Sequence, residues 1–337
     1  MRILMIMDPG IPVPPDLYGG HERLVYLFAE EYTRLGHQVT LLAGPNSHIS
    51  GSVIKFGIND LKRSKFQRSK ELVFVWNWLY NHSTDFDLIH NFGRLAYFLP
   101  VLHKPVKKMM TYGRQVSQRG IKLVNSLPNR NMIFTACSNY CVSTGNVAGN
   151  WNTVYNAIDF DDYQLNEHVD HLAPLMFLGR LEYIKGAHVA IQVAKATGRR
   201  LFLAGNISDL EEGKAYFESE IAPHIDQNEV IYLGPLNDVE KNKYLGQSAV
   251  LLFPISWDEP FGLVMIEANA CGTPVIAFNH GSVPEVIAGG VNGIIADTME
   301  EMVSAVDLAL KIDRKRCRLW AQESFDVKKI AKDYLEL

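Results

Sequence analysis

Two successive series, in which short apolar runs alternate with helically spaced segments, constrain this chain more than any other feature of its sequence. The first opens at Ile3 to Met7, an unbroken apolar run of strand length, and a Pro/Gly loop from Asp8 to Gly20 follows it. Leu24, Leu27, Phe28 and Tyr32 then recur at three- and four-residue intervals, Gly36 stands where a helix C-cap glycine belongs, and Gln38 to Ala43 is a second apolar run. Strand, crossover helix and strand imply a parallel sheet that offers ligands the carboxyl ends of its strands. Leu88 to His90, Lys108 to Thr111 and Met132 to Ala136 continue the strand series, with a helix over Lys70 to His82.

The second series begins at Leu175 to Leu178 and runs through a helix over Ala187 to Thr197 and strands at Arg200 to Ala204, Val230 to Leu233 and Ala249 to Phe253. A helix over Leu263 to Cys271, a strand at Pro274 to Ala277 and a helix over Met299 to Ile312 complete it. Between the series, Asn156 to Asp162 is turn-like and acidic, and Asn166 to Pro174 is polar without periodicity. The expected fold class is therefore α/β, with two doubly wound domains at 1–160 and 161–320. The tail at 321–337 carries helical spacing at Val327, Ile330, Ala331, Tyr334 and Leu335.

A length of 337 residues suits two domains, and 47% hydrophobic against 21% charged residues gives each a core. With 33 Lys and Arg against 37 Asp and Glu, the chain has no basic footprint, which excludes nucleic acid as a first expectation. Four cysteines make no disulfide framework, and Cys137 and Cys141 do not match zinc spacing. The most apolar stretches, Leu72 to Tyr80 and Val250 to Pro254, are too short to span a membrane, and the N-terminus reads as a strand rather than a leader. A soluble cytoplasmic protein is expected.

The most informative stretch is Trp257-Asp-Glu-Pro-Phe-Gly-Leu-Val-Met-Ile-Glu267, where a strand ends at Pro254 and a helix starts near Gly262 or Leu263. The backbone of Phe261, Gly262 and Leu263 would present first-turn N–H groups to an anion, while Glu267 lies one turn, about 5 Å, further along. A phosphate at the helix start and a sugar diol near Glu267 fit that spacing, because two hydroxyls can share two carboxylate oxygens. The alternative is a solvated pair, Glu259 and Glu267, flanking a helix N-terminus. The loop Phe177-Leu-Gly-Arg180-Leu-Glu-Tyr-Ile-Lys185-Gly186 adds a forked and a point cation suited to a diphosphate, with Gly179 and Gly186 permitting close approach. Surface charge with turn glycines is the bland alternative. Gly19 and Gly20, before His21-Glu22-Arg23, form a further phosphate cradle at a helix start. No G-x-G-x-x-G follows either first strand, which disfavours an NAD enzyme.

Together with Gly272-Thr-Pro-Val, Gly281-Ser-Val-Pro-Glu285, Val154-Tyr-Asn-Ala-Ile-Asp159 and Leu203-Ala-Gly205, these motifs resemble the family 4 glycosyltransferases over the whole chain. The resemblance implies a GT-B architecture: two Rossmann-like domains facing a deep cleft, with a C-terminal helix crossing back to the N-terminal domain. It implies a retaining, metal-independent hexosyl-type transferase that uses a UDP-, GDP- or ADP-linked sugar and needs no cofactor. Arg180 and Lys185 would hold the diphosphate, Glu267 the ribose and Glu259 the transferred sugar. Gly20 would offer backbone to the phosphates, and Glu285 would be a further donor contact. The acceptor, a sugar, a lipid-linked group or a small molecule, would bind mainly within residues 1–155. Its specificity would reside in the loops at Pro9 to Leu17 and at residues 44 to 70.

Many such relatives carry Thr-x-His after a first-domain strand, with the histidine reaching the donor sugar, whereas here the segment reads Thr111-Tyr112-Gly113-Arg114. His90 and Arg114 are the remaining candidates, and a lone strand-end histidine is more often structural. Asp-Phe-Asp at 85–87 and at 159–161 lacks companion carboxylates for a metal, and His168-x-x-His171 falls in a polar linker. The basic run Lys62, Arg63, Lys65, Arg68 and Lys70 precedes an apolar helix with Trp76 and Trp78. It reads as a solvated helix start, with weak peripheral contact to anionic lipid or a phosphorylated acceptor as the alternative. Two other functions stay open: a GT-B sugar-nucleotide epimerase or hydrolase, and a catalytically silent sugar-nucleotide-binding partner.

Overall fold

The computed structural model describes residues 1–15 and 19–337. The chain divides into two compact units, Met1–Ala157 with Val327–Leu337, and Ile158–Asp326. The second crossing thus comes at 326/327 rather than at the expected 320/321. The physical reason lies in the helix Arg314–Phe325, whose Arg314 guanidinium bonds the carbonyls of Asn166, Gly246 and Ser248 and the hydroxyl of Thr273. Those bonds tie the whole helix to the second unit.

The first unit is a seven-stranded parallel sheet: β1 Arg2–Ile6, β2 Gln38–Ala43, β3 Ser52–Lys55, β4 Leu88–Asn91, β5 Lys107–Tyr112, β6 Met132–Ala136 and β7 Trp151–Thr153. Their order is β3-β2-β1-β4-β5-β6-β7, with Met5 in register between Leu41 and His90. Helices cover both faces, so the inner strands are buried on each side and read as continuous apolar runs. Helix Gly20–Arg34 buries Leu24, Val25, Phe28 and Tyr32. The C-terminal helix Val327–Glu336 returns to this unit and sets Tyr334 edge-on against Phe28, ring centroids 5.2 Å apart.

Helix Lys65–His82 starts five residues before its expected beginning, because Ser64 and Gln67 form a reciprocal cap. The basic run splits accordingly. Arg63 turns inward onto Glu71 at 2.9 Å, whereas Lys62, Lys65, Arg68 and Lys70 stay exposed, with Lys70 lying over the Phe66 ring. Of the two Asp-Phe-Asp segments, Asp87 pairs with Arg2 and Asp159 caps the amide of Asp161. His171 is exposed beside Asp170. The expected acceptor loop at Pro9 to Leu17 includes Asp16 and Leu17, which lie outside the described residues.

The second unit holds six parallel strands: β8 Leu175–Leu178, β9 Leu201–Ala204, β10 Val230–Gly234, β11 Val250–Phe253, β12 Val275–Phe278 and β13 Gly293–Ala296. Their order is β10-β9-β8-β11-β12-β13. Strand order reverses between β8 and β11, as it does between β1 and β4 in the first unit. At such a reversal the loops leave toward opposite faces and open a crevice at the carboxyl ends. No helix among the described residues is long and apolar enough to cross a membrane.

Candidate functional site

Three loops of the second unit, after β8, β11 and β12, bring together most of the residues singled out by sequence. The β8 and β11 loops flank the strand reversal and are joined by backbone: the Ser256 amide donates to the Ile184 carbonyl at 2.9 Å. Gly186 makes that approach possible. It has a φ of +77°, and a Cβ there would lie 2.0 Å from the Pro254 carbonyl oxygen, so any side chain would separate the loops.

Across this junction the Lys185 ammonium donates to Glu259 Oε2. The Trp257 indole N–H bonds the same oxygen at 2.9 Å, and Lys185 Nζ lies 4.9 Å from the Trp257 ring centre. Both charged side chains are about six-sevenths buried, at 14% and 16% exposure. A buried pair of this kind keeps a cation and a carboxylate oriented at the mouth of the crevice, and an incoming anion can take over the cation. The β12 loop closes in from the other side. Gly281, at a φ of +58°, would place a Cβ 2.3 Å from the Glu259 carbonyl oxygen, and the Ser282 amide donates to that oxygen at 3.0 Å. Ser282 also gives its hydroxyl to the Phe261 carbonyl, and Glu285 stands in the short helix Val283–Val286 on the same loop.

Helix Leu263–Ala270 begins where sequence placed it, capped by Gly262 in the left-handed region. Phe261 is buried, and the Leu263 and Val264 amides occupy the first turn, where no intrahelical acceptor exists. Glu267 lies toward the interior at 8% side-chain exposure. Its Oε1 accepts from Lys241 at 2.6 Å and from the Tyr163 hydroxyl at 3.1 Å. Burial pulls the Lys241 ammonium down, but Glu267 and Asp238 outweigh it and hold Lys241 above the ordinary lysine range. Burial and the Glu267 charge push the Tyr163 phenol well up. Glu267 therefore carries a fixed countercharge on one oxygen. Sequence offered no sign of Tyr163 or Lys241, which come from 104 and 26 residues away.

Two expectations need refinement. Arg180 is exposed and bonds Glu182 at 2.7 Å, so it stands outside the Lys185–Glu259 cluster. The Gly179 amide is spent on the Ala204 carbonyl at 3.0 Å, so Gly179 offers room rather than a donor.

In the first unit, Gly19 precedes helix Gly20–Arg34 and accepts the Arg23 amide, leaving Gly20 at the first position. The structure corrects the expectation for His90. Its side chain is fully buried, with Nε2 2.7 Å from the Thr111 hydroxyl and Nδ1 3.2 Å from the Tyr32 hydroxyl. Burial, with the nearby His21 charge, lowers it to about 3, so it is a neutral core group with both nitrogens occupied. A network the sequence did not disclose lies at the β1/β4 reversal. Asp8 accepts from the Tyr97 hydroxyl at 2.6 Å and pairs with Arg94, and Arg94 and Arg63 both hold Glu71. Among the described residues, no three His, Cys, Asp or Glu side chains converge as a metal set would.

Residues 164–324 match the family model of the glycosyl transferases group 1. The chain is 28% identical over 199 residues to an uncharacterised 41.2 kDa protein in the cps region of Klebsiella pneumoniae, a match covering 55% of this chain and 53% of that protein. It is 31% identical over 122 residues to a D-inositol 3-phosphate glycosyltransferase of Mycolicibacterium smegmatis, covering 36% of this chain and 28% of that one. The chain thus spans about half the length of the first of these relatives and less of the second. Among solved structures, it is similar to the sucrose-phosphate synthase of Thermosynechococcus elongatus, with a TM-score of 0.79, 19% identity, and 100% and 98% of the two chains covered. HepE of Anabaena, in complex with UDP, gives a TM-score of 0.75 at 19% identity, covering 100% of this chain and 99% of that one. These likenesses show the GT-B fold.

Proposed function

We propose, from the premise that residues 164–324 belong to the group 1 glycosyl transferases, that this chain moves a sugar from a nucleoside diphosphate donor to an acceptor with retention of configuration and without a metal. The observation that carries the proposal is the Lys185–Glu259–Trp257 cluster at the β8/β11 reversal, locked by Gly186 and Gly281. As the bond from the anomeric carbon to phosphate oxygen breaks, negative charge grows on the departing diphosphate and positive charge on the sugar ring. Lys185, together with the first-turn amides of helix Leu263–Ala270, neutralises the former, and Arg180 leaves Glu182 to join them. The Glu259 carboxylate, released from Lys185, accepts hydroxyls of the transferred sugar. Glu267 holds the ribose.

The acceptor oxygen then bonds the anomeric carbon on the face the phosphate leaves, and its proton passes to the departing phosphate oxygen. No protein nucleophile is needed on this route. The acceptor is assigned to the first unit, and the cytoplasm is the proposed location. HepE is described with UDP and with UDP-glucose, which makes UDP the first nucleotide to test.

The test is isothermal calorimetry of UDP, GDP, ADP and dTDP against wild type and Lys185→Ala, without added metal. One nucleotide binding the wild type tightly and the variant at least tenfold more weakly is the expected result. Binding equal in the two proteins would remove Lys185 from the site, and no binding to a folded wild type would remove the donor site itself. Donor turnover without an acceptor would favour the epimerase or hydrolase reading, and binding with no turnover across many acceptors would favour the silent partner.

A further inference from the structure

Residue 113 has no side chain, and a different part of the chain fills the space one would occupy. A Cβ built on Gly113, just beyond β5, would lie 3.4 Å from Nε2, 3.5 Å from Cδ2 and 3.7 Å from Cε1 of His21. The His21 imidazole would thus be in ordinary contact with a methyl group at 113, and it stands where a longer side chain there would extend. It arrives from the first turn of helix Gly20–Arg34 and is braced edge-on by Phe92 beyond β4, ring centroids 5.9 Å apart at 73°. Nε2 is enclosed, yet it has no hydrogen-bond partner among the described residues.

An enclosed nitrogen without a partner is costly, and most buried polar atoms avoid that penalty. His90 shows how this same unit satisfies a histidine when its role is structural, with one hydroxyl on each nitrogen. His21 departs from that pattern at the carboxyl end of the sheet, where a doubly wound unit meets its ligands. We propose that His21 is a substrate-contacting residue of the first unit, whose Nε2 hydrogen-bonds a sugar hydroxyl during transfer. The assignment rests on the transferase reading above.

The surroundings select the ligand class. Burial and the Arg114 charge lower the imidazole to about 4, against a smaller opposing effect of Asp8, so it is neutral near pH 7. A neutral ring nitrogen donates to or accepts from a hydroxyl equally well, according to tautomer, whereas a phosphate favours the imidazolium. A sugar hydroxyl therefore suits this site better than a phosphate.

The experiment compares wild type, His21→Leu and the swap His21→Ala/Gly113→His. It measures thermal melting, calorimetric UDP binding, and release of nucleoside diphosphate from UDP-glucose, GDP-mannose and ADP-glucose, with water accepting the sugar. Leucine fills the volume without an orphan polar atom, so a structural histidine and a substrate-contacting one give opposite outcomes. The expected result is a melting temperature equal to or above wild type, unchanged UDP affinity and release slowed at least thirtyfold in His21→Leu. The swap, which returns an imidazole to the same space from the other side, recovers at least a third of the wild-type rate. Release by His21→Leu within twofold of wild type overturns this assignment alone. A folded wild type that neither binds UDP, GDP or ADP nor releases them overturns the transferase reading, and this assignment with it.

Discussion

Lys185 and Glu259, 74 residues apart in sequence, share a buried ion pair that closes the gap between the loops after β8 and β11. Each holds the other's charge in place, and the two substitutions have different consequences. Lys185→Ala removes the cation a diphosphate would take over, and nucleotide affinity is expected to fall ten- to a hundredfold. Glu259→Gln keeps the Trp257 bond and the loop geometry, so nucleotide binding stays within threefold while transfer falls at least a hundredfold. Calorimetry beside a turnover assay separates the two, and equal binding losses in both would show that Glu259 serves the nucleotide rather than the sugar.

Glu267 depends on Lys241 in a different way. Lys241→Met leaves the Glu267 carboxylate at 8% exposure with only the Tyr163 hydroxyl for company. Stranding a buried charge is expected to cost about 3 kcal/mol, read as a lower urea midpoint for the second unit. The double variant Lys241→Met/Glu267→Gln removes the stranded charge and recovers most of that loss, yet binds nucleotide more weakly than wild type. Recovery of binding together with stability would take Glu267 out of the ribose role.

Gly281→Ala adds one methyl group where a Cβ would come 2.3 Å from the Glu259 carbonyl oxygen, at a φ of +58°. The clash and the left-handed backbone together are expected to cost about 2 kcal/mol. Because the displaced partner is the Glu259 backbone, kcat is expected to drop by an order of magnitude or more, while UDP affinity changes less than threefold. An unchanged kcat in a variant whose melting temperature has fallen would mean that this loop supports the fold and not the sugar site.

The interior of both sheets could be read directly because its physics is simple. Met132–Ala136 and Leu175–Leu178 are covered on both faces, so every position is apolar or small and the span stands out. Ser52–Lys55 and Trp151–Thr153 lie at sheet edges, where half-burial permits mixed residues and erases the pattern. The site divides along similar lines. Lys185, Glu259 and Gly186 lie within loops that follow readable strands, and their residue types announce anion chemistry. Tyr163, Lys241, the Asp8–Arg94–Glu71 network and the placement of His21 against Gly113 arise only when distant segments meet, and no spacing encodes such meetings.

Acid stability of the first unit provides a test that is independent of substrate. His90 is fully buried and held at about 3, against an ordinary value near 6.5, so the folded state keeps it neutral where the unfolded chain takes up a proton. The unfolded state then binds more protons throughout that window, and stability falls as pH drops from about 6.5 toward 3, by up to about 1.4 kcal/mol per pH unit for this one group. Above pH 7 both states are neutral and the contribution is flat. His21, held at about 4 by burial and Arg114, adds a loss of the same sign over a narrower range. Urea titrations at pH 7.5, 6.0 and 5.0 are therefore expected to show a falling midpoint in wild type. His90→Gln retains a hydrogen-bonding side chain but cannot ionise, so it begins lower at pH 7.5 and declines less steeply between pH 6.0 and 5.0. Parallel slopes in the two proteins would show that carboxylates, not this histidine, govern the acid limb.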